Sequence, residues 1–167
     1  TPQRSRYGLP FHLSEQEMNI YGDEETGVRQ GDVVLDCGAN IGTFTRTALD
    51  RGAKTVVAVE PAPENLECLR RNFAKEIADG RVILYEKGVW HKDDVLTLHI
   101  HEHNSAADSF LMEDKDGHGE TIQAPLTTID KMVAELKLDR VDFIKMDIEG
   151  AEPNALRGGR ETLTRYH

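Results

Sequence analysis

Cysteine is nearly absent from this chain: Cys37 and Cys68 are the only two in 167 residues, and neither belongs to a CxxC or His-spaced ligand pattern. That excludes a disulfide framework and a cysteine-built zinc site, and makes a reduced, cytoplasmic setting the expectation. Long apolar runs are missing as well. No stretch approaches the ~20 residues that a membrane span needs, and the polar start, Thr1 to Arg6, lacks a signal-peptide apolar region. Positive charge is in deficit, 20 Lys and Arg against 30 Asp and Glu, for a formal net charge of -10. Such a surface repels a phosphate backbone, so neither a nucleic acid nor a membrane is expected as a partner. No internal repeat or low-complexity tract is present. The 38% hydrophobic content suffices for the core of one compact domain.

What is there is a rhythm of buried strands and amphipathic helices. Residues 1–30 are polar and rich in turn formers, and read as an entry segment with at most a short helix around Glu15 to Ile20. From residue 31 to 167 one α/β domain is expected. Val33-Val34-Leu35, ending in Asp36, has the unbroken apolar character of a strand covered on both faces. A glycine turn, Gly38 to Gly42, leads into a helix with Ile41, Phe44 and Ala48 on one side. Thr55–Val59 is a second buried strand. Pro63 opens a helix carrying Leu66, Leu69, Phe73 and Ile77 at helical spacing, and Val82–Tyr85 is a third strand. Residues 91–124 interrupt the alternation and read as an insertion, with an exposed strand at Val95–Ile100 and a charged loop at Glu113–Glu120. Thr127 and Asp130 resemble a capping box for the next helix; a fourth buried strand, Val141–Ile148, and a helix from Pro153 follow. Strand and helix in this order predict a Rossmann-like, doubly wound, mostly parallel sheet. The fourth strand is expected to cross to the far side of the first. A ligand would then lie beyond the carboxyl ends of these strands, between the turn after Asp36 and the acidic run Asp147-Ile148-Glu149.

The turn Asp36-Cys37-Gly38-Ala39-Asn40-Ile41-Gly42 joins strand to helix where small residues let backbone approach a ligand. Dinucleotide sites need GxGxxG here so that the chain can touch a pyrophosphate, and this turn carries Asn40 instead. A phosphate-free nucleoside such as S-adenosylmethionine tolerates that side chain. Glu60 ends the second strand 22 positions after Gly38, near the roughly 20 expected of a ribose-reading acid. Its carboxylate accepts from both ribose hydroxyls at once.

The segments VVLDCGANIGTFT, VVAVEPAPENLECLRRNF and DFIKMDIEGAEPNALRGG resemble the FkbM-type methyltransferases, from about Gly31 to the end of the chain. The resemblance implies a class I methyltransferase fold, S-adenosylmethionine as donor, and a hydroxyl oxygen of a sugar or natural-product-like small molecule as acceptor. Carried over by position, Asp36, Gly38, Ala39, Asn40 and Gly42 surround the amino-acid portion of the donor. Glu60, with Pro61 beside it, takes the ribose. Gly88, Val89 and Trp90 border the adenine, Trp90 being either a stacking face or a core aromatic. The family's fold continues for about three more strands. Here the sequence stops at Arg165-Tyr166-His167 inside a helical pattern and begins without Met, so one or both ends are expected to be cut.

Methyl transfer is an in-line displacement that requires an aligned acceptor oxygen and a group to take its proton. Asp147 and Glu149, on one face of the fourth strand with Lys145 and Phe143, are the candidate catalytic acids, and Asp147 also a donor contact. Two bland roles compete: pairing of Asp147 with Lys145, and capping of the last helix by Glu149 or Glu152. No metal is expected. A cation on Asp147, Glu149 and Glu152 lacks a ligand pattern, and His99, His101 and His103 on one strand face are read as solvated side chains. In Asp114-Lys115-Asp116-Gly117 the glycine falls too early for a calcium loop. Two other functions stay open, a nicotinamide-dependent oxidoreductase and a non-catalytic S-adenosylmethionine-binding module.

Overall fold

A computed structural model describes residues 9–101, 108–111 and 120–166 of the chain. Its centre is a four-stranded parallel sheet in the order β3-β2-β1-β7, built from β1 (Val33–Cys37), β2 (Thr55–Val59), β3 (Val82–Tyr85) and β7 (Phe143–Met146). All five residues of β1 are buried, as befits a mainly apolar strand covered on both faces, and the one charge among them, Asp36, is buried too. In register, Leu35 lies between Val57 of β2 and Ile144 of β7, so β1 is the switch point where the chain has crossed over. The fold is Rossmann-like, as the pattern predicts.

Each face of the sheet has its own core. Val34, Val56 and Val82 pack with Phe44, Ala48, Leu69 and Phe73 from α2 (Thr43–Asp50), α3 (Pro63–Asn72) and the residue that ends α3. On the other face Leu35, Val57 and Val59 meet Ile129, Met132 and Val133 of α5 (Ile129–Glu135) and Ala155 of α6 (Glu152–Arg157). The expected single helix from Pro63 to Ile77 is two: Phe73, at φ -123° and ψ 24°, leaves helical geometry between α3 and α4 (Ala74–Ala78). The last helix is likewise broken. At Gly158 a Cβ would stand 2.0 Å from the carbonyl oxygen of Trp90, and the chain turns there from α6 into α7 (Arg160–Tyr166).

Residues on either side of and within the expected insertion form a second, small sheet. Its strands, β4 (Gly88–Val89), β5 (Asp94–Ile100) and β6 (Glu120–Thr127), stand in the order β4-β6-β5. β6 runs three residues past the expected end of the insertion at 124, because Ala124 and Leu126 on one face are buried. The charged loop expected at Glu113–Glu120 falls almost wholly outside the described residues, and so does Asp114–Gly117. Upstream, the entry helix α1 (Leu9–Glu17) begins earlier than expected, with Pro10 tolerated in its first turn, and is followed by Asn19 in the left-handed region at φ 53°.

The expected capping box does not form, and the cap itself lies one residue on. The α5 cap is Thr128, whose hydroxyl oxygen accepts from the Lys131 N–H, while Thr127 donates to Asp93 and Asp130 accepts from the N–H groups of Glu161 and Thr162 at the start of α7. Thr128→Ala is therefore expected to cost about 1 kcal/mol in a urea titration. An unchanged midpoint would show that the hydroxyl adds nothing to α5.

Candidate functional site

The tips of β1, β2 and β7 open onto one cleft, about 820 Å³ counting the space continuous with solvent. Its floor is the turn after β1, where Gly38 (φ 81°), Asn40 (φ 50°) and Gly42 (φ 94°) all take left-handed backbone. Glycine carries no penalty there and asparagine little. Two further constraints fix the glycines: a Cβ on Gly38 would lie 2.0 Å from the carbonyl oxygen of Asp147, and one on Gly42 would lie 2.2 Å from the Phe73 ring. The N–H groups of Gly38 and Ala39 both donate to Val59, which ties the turn to the end of β2.

Glu60, at the tip of β2, is 5% exposed and lines this cleft. One carboxylate oxygen accepts from the Asn40 N–H at 2.8 Å and the other from the Ala62 N–H at 2.9 Å. Burial pushes the carboxyl up to about 7, against the opposing pull of those two N–H bonds. The Asn65 side chain also hydrogen-bonds to this carboxylate, so of its roughly four lone-pair sites about one stays open to a hydroxyl of a sugar.

At the tip of β7 the acids and Lys145 separate. Lys145, 6% exposed, donates to the Gly38 carbonyl at 2.8 Å and stands 3.3 Å from Asp36 and 4.0 Å from Asp147. Its nearer partner is thus the fully buried Asp36, which also accepts from the Thr45 hydroxyl at 2.7 Å. Asp147 accepts a 2.7 Å hydrogen bond from the Tyr21 hydroxyl. The strand ends at Met146, so Asp147 and Glu149 belong to the loop beyond it rather than to one strand face. Glu149 is in left-handed backbone at φ 54°, and burial, then the charges of Asp147 and Glu152, raise its carboxyl above the ordinary range. Glu152 accepts from the Ile148 N–H at 3.0 Å just before α6, close to the capping role weighed for it.

Of the residues expected at a site, Gly38, Ala39, Asn40, Glu60, Pro61, Gly88, Val89, Asp147 and Glu149 line the cleft together. Asp36, Gly42 and Trp90 do not. Asp36 lies under the turn and holds Lys145, and Gly42 packs against Phe73 and Leu69. Trp90, 7% exposed, is the core aromatic of the two readings, packed with Leu126 and Ala151. Sequence reasoning missed Tyr21 of the entry segment, and Asp108 and Phe110 of the insertion, all of which line the cleft. Tyr21 carried no local signal, since its partner is 126 residues away. Cys37 is a buried filler, its thiol pushed up to about 12 by burial. Among the described residues no group of three or more His, Cys, Asp or Glu side chains could hold a metal ion; His103 lies outside them. Among the described residues no helix is long and apolar enough to cross a membrane.

Residues 36–167 match the family described as Methyltransferase FkbM domain. The chain belongs to the FkbM methyltransferase family. It is 31% identical over 157 residues to the 31-O-demethyl-FK506 methyltransferase FkbM of Streptomyces tacrolimicus, a match covering 78% of this chain and 60% of that protein. It is 26% identical over 147 residues to the 2-O-methyltransferase NoeI of Sinorhizobium fredii (strain NBRC 101917 / NGR234), covering 80% of this chain and 59% of that one. The chain thus spans about three-fifths of the length of these curated relatives. The crystal structure of methyltransferase FkbM from Methylobacillus flagellatus KT superposes with a TM-score of 0.55 at 22% identity, over 81% of this chain and 30% of that one, which supports the shared fold. The FkbM match begins at Asp36, so it takes in the turn, Glu60 and the β7 tip while Tyr21 lies upstream of it.

Proposed function

We propose that this cleft is the donor site of an S-adenosylmethionine-dependent methyltransferase that methylates a hydroxyl oxygen of a small molecule. The observation that carries the reading is Glu60: a buried carboxylate at the tip of the second strand, on the wall of the cleft, beside a turn without the dinucleotide glycine spacing. The charge of the lining agrees. Among the described lining residues Lys145 is the only Lys or Arg, and it is committed to Gly38 and Asp36, whereas Glu60, Asp147 and Glu149 are acids. That lining suits a sulfonium cation and repels a pyrophosphate, which counts against a nicotinamide dinucleotide. Glu60 would hold the ribose, Gly88 and Val89 would border the base, and Gly38, Ala39, Asn40 and Asp147 would hold the amino-acid portion. When bound, the donor supplies an electrophilic methyl group. Glu149, whose carboxyl is raised by burial, is the side chain suited to take the acceptor's proton. Oxygen as the acceptor atom rests on the names of two relatives, a 31-O-demethyl-FK506 methyltransferase and a 2-O-methyltransferase.

Calorimetry with S-adenosylmethionine, S-adenosylhomocysteine and NAD tests the donor. Binding of the first two and not of NAD is expected; the reverse would overturn the reading. Transfer of tritium from S-adenosyl-[methyl-3H]methionine to a panel of oligosaccharides and hydroxylated macrocycles then identifies an acceptor. Donor binding without transfer to any compound of a broad panel would favour the non-catalytic module.

A further inference from the structure

The entry segment is built into the cleft. Tyr21 stands edge-on to Phe44, with ring centres 5.3 Å apart at 73°, and Phe44 stacks on Phe143 of β7 at 5.8 Å and 25°. The tyrosine ring is thus fixed, through one aromatic, to the strand whose end leads into Asp147. Arg51 holds the flanking residues, donating to the Gly22 carbonyl at 2.7 Å and to the side-chain oxygen of Asn19. Among the described residues the contacts of the Asp147 carboxylate fall on Oδ2: the Tyr21 hydroxyl at 2.7 Å and the Lys145 ammonium at 4.0 Å. Oδ1 is left to accept from a ligand.

The order β2-β1-β7 sets Glu60, Gly38 and Asp147 in a row across the strand tips. Two strand spacings are ~10 Å. A nucleoside with its sugar at Glu60 and its amino-acid tail laid over Gly38 therefore brings a cationic end toward Asp147. Lys145 does not already neutralise that acid, because its closer contacts are Gly38 and Asp36.

Resting on the donor-site reading above, we propose that Tyr21 is a positioning residue: its hydroxyl fixes the Asp147 carboxylate, which receives the α-ammonium of the donor's amino-acid portion. The tyrosine is suited to act only as a donor, since burial and then Asp147 raise its hydroxyl well above its ordinary value. An unanchored aspartate, half exposed, would have to lose rotamer freedom on binding.

Calorimetry with two probes tests this without an acceptor. S-adenosylhomocysteine carries the α-ammonium; 5′-methylthioadenosine is a nucleoside thioether lacking the amino-acid portion. Tyr21→Phe keeps the ring and removes the hydroxyl, and is expected to weaken S-adenosylhomocysteine about tenfold while leaving 5′-methylthioadenosine unchanged. Asp147→Ala should weaken the first probe at least as much, and the double variant no more than Asp147→Ala alone, because the hydroxyl acts through the carboxylate. The proposal falls if Tyr21→Phe binds S-adenosylhomocysteine like the parent, if it weakens both probes equally as a structural lesion would, or if the two losses multiply. Should the parent bind neither probe, the donor-site reading itself fails. That outcome is distinct from a parent that binds both and a silent Tyr21→Phe.

Discussion

Glu60→Gln is expected to weaken S-adenosylhomocysteine about 100-fold while the chain stays folded. The two carboxylate oxygens of Glu60 each accept one backbone N–H, from Asn40 and Ala62, the Asn65 side chain bonds the same carboxylate, and the site that remains would accept a ribose hydroxyl. An amide offers one oxygen and turns its NH2 toward a backbone N–H, so one end of that double bridge is lost along with the charge-assisted bond to the sugar. The bridge is lost in the free and bound protein alike, and the charge-assisted bond to the sugar, worth up to about 3 kcal/mol, gives about two orders of magnitude. The parent should also show a pH dependence that the variant lacks. With the carboxyl pushed up to about 7 by burial, affinity rises as the pH climbs through that value and the carboxylate forms. For the ligand-free fold the sign is opposite. A folded value above the ordinary 4.5 means that protonation of Glu60 favours the folded chain at low pH, and this contribution is lost as the pH rises through about 7. Calorimetry from pH 5.5 to 8.5 on both proteins decides it. A flat parent profile, or a glutamine variant that binds within threefold, would remove Glu60 from the ribose.

The parts of this fold that sequence reveals are those held by local rules. β1, β2, β3 and β7 are legible because strands covered by helices are mainly apolar, broken here only by Asp36 and Lys145, and the crossover between β1 and β7 follows once four such strands alternate with helices. Glu60 is legible because its place is a distance along the chain. The acid at position 36 looked equally functional, and it is not on the wall of the cleft, because the strand carries its side chain beneath the turn to meet Lys145 and Thr45. Trp90 misleads for a similar reason: which way a residue just past a strand faces depends on the second sheet and on the close approach of Gly158, neither written in its neighbours. Tyr21 illustrates the limit most clearly. A hydrogen bond spanning 126 residues leaves no periodicity or spacing to read, and the turn formers around it suggested only a loop.

The two acids beyond β7 differ in environment, and that difference predicts a division of labour. Asp147 accepts from the Tyr21 hydroxyl and lies 4.0 Å from Lys145. Glu149 is two residues on, in left-handed backbone, with its carbonyl accepting from the Ser109 hydroxyl at 3.2 Å; its carboxyl is raised by burial and by the charges of Asp147 and Glu152. A carboxyl raised in this way is suited to accept a proton, and its neighbour, oriented by a tyrosine hydroxyl, to bind a cation. Glu149→Gln is therefore expected to lower kcat between about 100-fold and 10,000-fold with an acceptor found in the tritium screen, while S-adenosylhomocysteine binds within about twofold of the parent. The parent rate should climb with pH through a value above the ordinary carboxylate range, as Glu149 loses its proton, and that limb should be absent from what activity the variant retains. Asp147→Asn should act in the other direction, raising the KM for S-adenosylmethionine more than it lowers kcat. Full turnover in Glu149→Gln would show that the proton leaves by another route. If Asp147→Asn lost kcat and kept its donor KM, the two roles would have to be exchanged.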